Sequence, residues 1–353
     1  MQLNNLDFFD KITQKLKAKT PFVMYRNINE VEVFGLLQNT DNLISLDSFN
    51  SKGFVFCPFT NSENSYIISL NNSSKISTVV EDSNFEYLNS NFSVLSSSLE
   101  KKEYENLIES TVKHINKTKI EKIVISRKEN VEVANMDVIK TFINMLHKYK
   151  NAFVYCWFHP KTGLWMGASP ERLIQIDKGV FKTMSLASTQ NYEGSLNVNW
   201  GTKELEEQKI VTDYILDNLK PILSTIKTVG PYTVKAGSLL HLKTDITSKV
   251  VSENTVEQLI HKLHPTPAVC GMPKENAKEF ILNNEQYNRK YYTGFLGELN
   301  INSSTNLFVN LRCMEVNTNV VSIYIGGGIT ASSIPSKEWN ETVFKSNVMK
   351  TIL

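Results

Sequence analysis

Four cysteines in 353 residues are too few and too scattered for a disulfide framework or a structural zinc site. Cys57, Cys156, Cys270 and Cys313 stand far outside metal-ligand spacing, and a chain of this length has core enough without cross-links. Cys270, beside Gly271, has no accompanying His–Asp pattern that would make it a nucleophile. Charge of one sign is equally scarce. The 38 basic and 36 acidic residues leave a net charge of +2, with no basic stripe for nucleic acid and no acidic tail for a cationic partner. No apolar run approaches the roughly 20 residues that span a bilayer, and MQLNNLDFFDKITQKLKAKT lacks the apolar centre of a signal peptide. The expectation is a cytoplasmic protein that binds neither nucleic acid nor membrane. The chain also lacks an internal repeat and a long linker.

Hydrophobic residues make up 41% and charged residues 21%, the balance of a globular chain with one large core or two ordinary ones. Leu6, Phe9, Ile12 and Leu16 have the spacing of a short amphipathic helix. Residues 1–98 carry no chemistry-bearing pattern. Asn and Ser are dense from Asn61 to Ser98, which reads as loops and short strands such as SYIISL, and as compositional bias rather than function. From Leu99 the periodicity firms. Tyr104, Leu107, Ile108, Val112 and Ile115 predict a helix over 99–117. EKIVISRKENVEV predicts a strand, and Asp137 caps a helix to about Lys148 with Val138, Phe142 and Leu146 on one face. NAFVYCWFHP and GLWMGASPERLIQI flank a Lys-Thr-Gly turn as a hairpin. Further helices are predicted at 202–219, at 257–264 and from about Lys337, with strands in NLFVNLRCMEV and VVSIYIGGG. Hairpin-like pairs without regular βαβ alternation predict an α/β protein of the α+β kind, with mixed or antiparallel sheets and helices outside.

Five local patterns can carry chemistry, and each has an ordinary structural alternative. In SKEWNETVFKSNVMK, Glu338, Glu341 and Lys345 share one helix face. They form a solvated face with a Glu–Lys pair, or a site in which carboxylates hold Mg²⁺ and the lysine holds a substrate carboxylate. The helix follows GGGITASS, whose glycines let backbone N–H groups approach an anion; the run has neither a phosphate-loop nor a dinucleotide pattern. Glu207 lies at the edge of the apolar stripe of 202–219, as a metal ligand or as a rim glutamate beside Lys203. Glu171, in GASPERLI, follows a strand break at Gly167 and Pro170. It is a surface turn with Arg172, or a general acid if burial raises its pKa above about 4.3. In LHPTPAVCG two prolines frame an extended, rigid loop, and His264 is a satisfied core residue or a donor to substrate. Lys122 shares a strand face with Val124 and Ser126, as a solvated strand end or, facing inward and desolvated, as a base.

The order of these patterns resembles the chorismate-utilising enzymes: isochorismate, salicylate, anthranilate and aminodeoxychorismate synthases. KIVISR, GASPERLI, TMSLAST, KELEEQKIV, HLKT, LHPTPAVCG, RKYYTGFLG, LRCMEV and GGGITASSIPSKEWNETVFK carry the resemblance, from about residue 119 onward; the first 100 residues match loosely. It implies a single domain over 1–353, with a variable N-terminal segment over 1–98 and a motif-bearing catalytic segment over 99–353, built as two packed, largely antiparallel sheets with helices outside. It also implies that Glu207, Glu338 and Glu341 hold Mg²⁺, that Arg312, Gly328 and Lys345 bind substrate carboxylates, and that Thr189 and His264 line the ring. Ser188, Ala268, Val269, Tyr292 and Gly327 are expected to contact substrate too.

Within this group a lysine at the position of Lys122 marks enzymes that add water, and glutamine those that add ammonia. Ala187 stands where aminodeoxychorismate synthases carry a nucleophilic lysine, and Ala268 where salicylate synthases tend to carry threonine. The resemblance is therefore greatest to isochorismate synthases, with Lys122 activating water for attack at C2 and Glu171 protonating the departing C4 hydroxyl. The product would feed menaquinone, the commoner use, or a catechol siderophore. Salicylate synthase, an anthranilate synthase component and a non-catalytic chorismate-binding protein are the alternatives. Chorismate is the implied partner; the resemblance implies no obligatory glutaminase subunit, and a monomer. Ser188 departs from the glycine of the usual LAGT, and either adds a hydrogen bond or crowds a backbone that needs φ > 0.

Overall fold

Every residue of Phe22–Arg26 is buried, yet neighbours face different cores: Phe22 and Met24 lie under helices, Val23 and Tyr25 against a second sheet. That is a strand covered on both sides, and it sets the plan of the molecule. The computed structural model describes residues 1–60, 64–80, 92–95, 97–134, 136–236, 239–250 and 255–353, without the side chains of Lys203 and Ala236. A ten-stranded sheet runs in the order Gly271–Met272, Lys122–Val133, Val320–Ile329, Cys313–Asn317, Gly163–Ser169, Phe153–His159, Phe22–Arg26, Glu32–Gln38 and Ser73–Val79, with Phe92–Val94 also on Lys122–Val133. An eight-stranded sheet runs Ile226–Ala236, Leu239–Lys249, Val180–Asn191, Arg172–Asp177, Ser304–Val309, Phe295–Ile301, Gly53–Cys57 and Tyr66–Ser69. All of these pairings are antiparallel.

Aromatic side chains fill the space between the sheets. Tyr155, Trp157 and Trp165 of the first meet Phe54, Phe56 and Phe308 of the second, and Phe153 stacks on Phe308 with ring centroids 4.2 Å apart. Among the described residues seven helices cover the outside: α1 Asn5–Lys17, α2 Ser98–Lys117, α3 Val138–Lys148, α4 Thr202–Leu219, α5 Thr255–Leu263, α6 Lys274–Asn284 and α7 Pro335–Lys350. Phe8, Ile12, Phe142 and Met145 bring α1 and α3 onto the first sheet; Val211, Ile215, Leu259 and Ile260 bring α4 and α5 onto the second. The predicted α+β architecture is the one observed. No helix among the described residues is long and apolar enough to cross a membrane, and the cysteines are free and buried.

The predicted helices are present, and Asp137 caps α3 by accepting from the Lys140 N–H. The buried face of α1 is Phe8 and Ile12, whereas Leu6 is 72% exposed. Much of the stretch from Asn61 to Ser98 lies outside the described residues, but SYIISL does contain the strand Tyr66–Ser69. Two predicted strands are each two strands in different sheets. GLWMGASPERLIQI divides into Gly163–Ser169 and Arg172–Asp177, and NLFVNLRCMEV into Ser304–Val309 and Cys313–Asn317. A strand that changes sheet keeps its apolar alternation, so pattern alone runs the two halves together.

The buried pair of Glu285 and Arg289 ties the LHPTPAVCG loop to the first sheet. Glu285 accepts from Arg289 at 2.6 and 2.7 Å and from the Ser126 N–H at 2.7 Å. Arg289 in turn donates to Val269 O at 2.9 Å and Val124 O at 2.7 Å. Glu285→Ala leaves a buried guanidinium without its partner and is expected to destabilise by about 3–5 kcal/mol; the urea midpoint measures it.

Candidate active site

The two crossings that divide a predicted strand between the sheets lie side by side, and each delivers a functional side chain. The first crossing, between Ser169 and Arg172, carries Glu171; the second, between Val309 and Cys313, carries Arg312. Val309 N donates to Glu171 O and Ala168 N to Arg312 O, each at 3.0 Å. Arg312 takes a positive φ of 48° to make its turn. Glu171 is only 5% exposed, so it is not the surface turn that its Arg172 neighbour allows. Burial pushes its carboxyl up to about 7, against the smaller opposing effects of a 3.2 Å hydrogen bond from Thr266 and the charge of Lys122. Arg312, lowered by burial only to about 10, stays a cation at neutral pH.

These residues open on a cavity of about 340 Å³, within the range of small-molecule sites. Lys122, at the start of its strand, donates to Glu207 of α4 at 2.6 Å. Burial alone would raise the Glu207 carboxyl. The Lys122 charge and the hydrogen bonds from Lys122 and Ser188 outweigh it and hold Glu207 below the usual carboxylate range. Lys203, the alternative neighbour of Glu207, has its side chain outside the described residues. Ser188 stands at a bulge in Val180–Asn191, with φ 59°. Its backbone is left-handed, and the added hydrogen bond is present: the hydroxyl donates to Glu204 O at 2.8 Å and Glu207 Oε2 at 3.2 Å.

Across the cavity α7 presents Glu338, Glu341 and Lys345. The Glu341–Lys345 pair is present at 2.7 Å, and Lys345 also reaches Gly326 O at 3.2 Å. The glycines before α7 lie in the strand that the sequence predicts for VVSIYIGGG. Gly326, Gly327 and Gly328 lie in Val320–Ile329, paired with Ser126, Ile125 and Val124, and what they supply is room. A Cβ on Gly328 would lie 2.5 Å from Lys122 Cε. Gly328→Ala is therefore expected to push Lys122 off its position and lower turnover by about 10²-fold, with little change in thermal midpoint, since only a flexible side chain must move. Steady-state kinetics and a melting curve check both halves.

Thr189, Ala268, Val269 and Tyr292 line the same cavity. His264 does not. Its Nε2 donates to Pro58 O at 3.2 Å, its ring packs edge-on against Phe295, and burial lowers its pKa to about 3. The expected ring-lining histidine is thus a packing residue at the end of α5, and His241, which the sequence reading passed over, occupies the cavity instead. Its Nδ1–H donates to Ser188 O at 2.9 Å, leaving Nε2 to accept from Arg312 at 3.4 Å. Burial, then the Arg312 charge, lowers it to about 3 and keeps it neutral. Thr266 was also missed. The loop is not extended throughout: from Thr266 it turns, closed by Val269 N and Cys270 N on Thr266 O, and the Thr266 hydroxyl donates to Glu171. Cys270 is no nucleophile: burial pushes its thiol up to about 12.

Among the described residues no three metal-ligating side chains close around a common point. The donor chemistry nevertheless fits a hard divalent cation. Glu338 and Glu341 converge over Gly327, where a Cβ would lie 3.5 and 3.8 Å from their oxygens. Glu207 faces the same space from α4.

The sequence profile of the family described as chorismate binding enzyme matches residues 52–353, including some of the stretch before residue 99. The isochorismate synthase MenF of Escherichia coli K12 is 28% identical over 260 residues, covering 71% of this chain and 60% of that protein. The isochorismate synthase DhbC of Bacillus subtilis 168 is 27% identical over 270 residues, covering 71% of this chain and 67% of that one. This chain thus spans about 60% of the length of the first of these relatives. The solved structure of the menaquinone-specific isochorismate synthase MenF from Escherichia coli shares the fold, with a TM-score of 0.80 at 21% identity over 95% of this chain and 89% of that one. With the profile matched from residue 52 to residue 353, the chain belongs to the chorismate binding enzymes.

Proposed function

We propose that the protein is an isochorismate synthase, converting chorismate to isochorismate by adding water at C2 and expelling the C4 hydroxyl. The observation that carries the reading is the placing of Lys122 and Glu171 on one cavity, with Glu171 tuned to about 7. A carboxyl with that pKa holds its proton near neutrality and can release it to a leaving oxygen. The mechanism requires Lys122 as a free amine: it takes a proton from water, the hydroxide equivalent bonds to C2, and the ring double bonds shift. The C4–O bond breaks as Glu171 protonates the oxygen, so one water enters and one leaves. Arg312 and Lys345 supply cations for the two substrate carboxylates, and neutral His241 offers Nε2 as an acceptor beside them.

Glu207, Glu338 and Glu341 are the residues that would hold Mg²⁺, which when bound supplies a charge to grip a substrate carboxylate. Glu207 is also the carboxylate that engages Lys122, so freeing the base and binding the metal draw on one side chain. Ala268 and Val269 present no hydroxyl to the cavity, which favours water addition without pyruvate loss.

Chorismate incubated with the protein, with and without Mg²⁺, and resolved by chromatography should give isochorismate in the Mg²⁺ sample alone. Salicylate with pyruvate, or anthranilate when ammonium is supplied, would replace this reading with another reaction, and no product at all would leave a binding protein.

A further inference from the structure

We propose that Arg127 is a positioning residue for the metal site: its guanidinium sets the rotation of α7 so that Glu338 and Glu341 face the cavity. This rests on the reading of those glutamates as Mg²⁺ ligands. Arg127 lies in Lys122–Val133, the strand that begins with the proposed base. Side chains alternate along a strand. Lys122 and Val124 line the cavity, whereas Ile123 and Ile125 pack in one core with Trp339 of α7. Arg127 and Glu129 continue that second face.

The helix α7 carries two stripes one residue apart. Trp339, Thr342, Ser346 and Lys350 are buried; Glu338, Glu341 and Lys345 line the cavity. One residue is a rotation of about 100° in a helix, so whatever fixes the buried stripe also aims the carboxylates. Arg127 touches that stripe at two points. Its Nε donates to Thr342 Oγ1 at 2.7 Å, and its guanidinium lies over the Trp339 ring, 4.3 Å from the centroid. Thr342 and Trp339 directly follow Glu341 and Glu338. The guanidinium is itself held. A second nitrogen donates to Glu129 Oε2 at 2.7 Å, and Glu129 Oε1 is 2.7 Å from Lys350 Nζ, at the far end of the stripe. Arg127, Glu129 and Lys350 are all buried, where solvent screens such contacts little.

The ordinary alternative is a buried ionic cluster that only holds α7 down. Apolar packing does that already, through Trp339, Tyr104 and Ile108, and it is non-directional. A planar guanidinium bonded to two elements specifies an angle as well. Loss of Arg127 leaves Glu129 its ion pair with Lys350, so no buried charge is orphaned. The change is therefore expected to show at the site more than in the fold.

The test is calorimetric titration of Mg²⁺ into wild type, Arg127→Met and Thr342→Val, with a melting curve for each. Methionine keeps an apolar stem against Trp339 and donates nothing. The Mg²⁺ dissociation constant of Arg127→Met should rise about tenfold, as for residues that orient metal ligands, in a protein that still melts cooperatively. Thr342→Val keeps the Arg127–Glu129 pair and the Trp339 contact but removes the acceptor on α7. It should shift the constant the same way by less. Wild-type affinity in Arg127→Met, or in Thr342→Val should Arg127→Met not fold, would reduce Arg127 to packing and overturn the inference. A lowered melting temperature with unchanged Mg²⁺ affinity would do the same. A wild type that takes up no Mg²⁺ would remove the metal reading and this inference with it. A wild type that binds Mg²⁺ more tightly than the variants but makes no isochorismate would remove the proposed reaction and leave Arg127 in its role.

Discussion

Glu171→Gln is expected to lower turnover by about 10²–10⁴-fold, the range for removing a general acid, while making the protein more stable at pH 8. The two effects have one cause. Glu171 is 5% exposed, and burial raises its carboxyl to about 7 from an ordinary value of 4.5. In the unfolded chain the group ionises at the ordinary value, so between about pH 4.5 and 7 the folded state holds the extra proton and stability falls as pH rises. Above pH 7 the ionised, buried carboxylate costs about 3 kcal/mol. Glutamine keeps the acceptor for the Thr266 hydroxyl and carries no charge. Urea midpoints should therefore favour Glu171→Gln at pH 8 and show a much smaller difference at pH 5. The wild-type rate should decline as pH rises through about 7, as Glu171 loses its proton. A variant that is active, or whose gain in stability over wild type is no larger at pH 8 than at pH 5, would remove Glu171 from the role of acid.

How much of this was legible beforehand depends on the range of the interaction that decides each feature. The helix over 202–219, the capping of α3 by Asp137 and the shared face of Glu338, Glu341 and Lys345 are set within a few residues, and they stand where the spacing put them. The strand break at Pro170 was legible, but that the chain changes sheet there and at Leu311 was not, because a strand that changes partners keeps its side-chain period. The choice between His264 and His241 turned on the same limit. His264 follows a helix and precedes a proline, which looks like a special position, yet it packs on Phe295. His241 lies in Leu239–Lys249, where Leu240, Leu242, Thr244 and Ile246 are buried and the residues between them face the other way. That alternation was the available signal: a histidine on the open face of a half-buried strand is placed to meet a ligand. Ser188 shows a different limit. Its left-handed backbone and its hydrogen bond to Glu207 are both real, and only the bulge beside it tells how they coexist.

Lys122→Ala is expected to cost turnover about as much as the loss of Glu171, about 10²–10⁴-fold, but with the opposite effect on stability. The Lys122 ammonium 2.6 Å from Glu207 is one of the groups that hold this carboxyl below its ordinary range. A depressed carboxyl contributes stability above its unfolded pKa, about 4.5, and that contribution disappears as pH falls through the folded value. Removing Lys122 should therefore lower the urea midpoint at pH 7 and leave it nearly unchanged in acid, where Glu207 is protonated in both proteins. Base and ion-pair roles separate by chemical rescue. A small primary amine added to Lys122→Ala can take the vacated space, bounded by Gly328, and should restore some of the rate with a dependence on free amine that rises with pH. Rescue equally strong from a quaternary ammonium ion, which has charge but no proton to exchange, would assign Lys122 to holding Glu207 and deny it the proton of the attacking water.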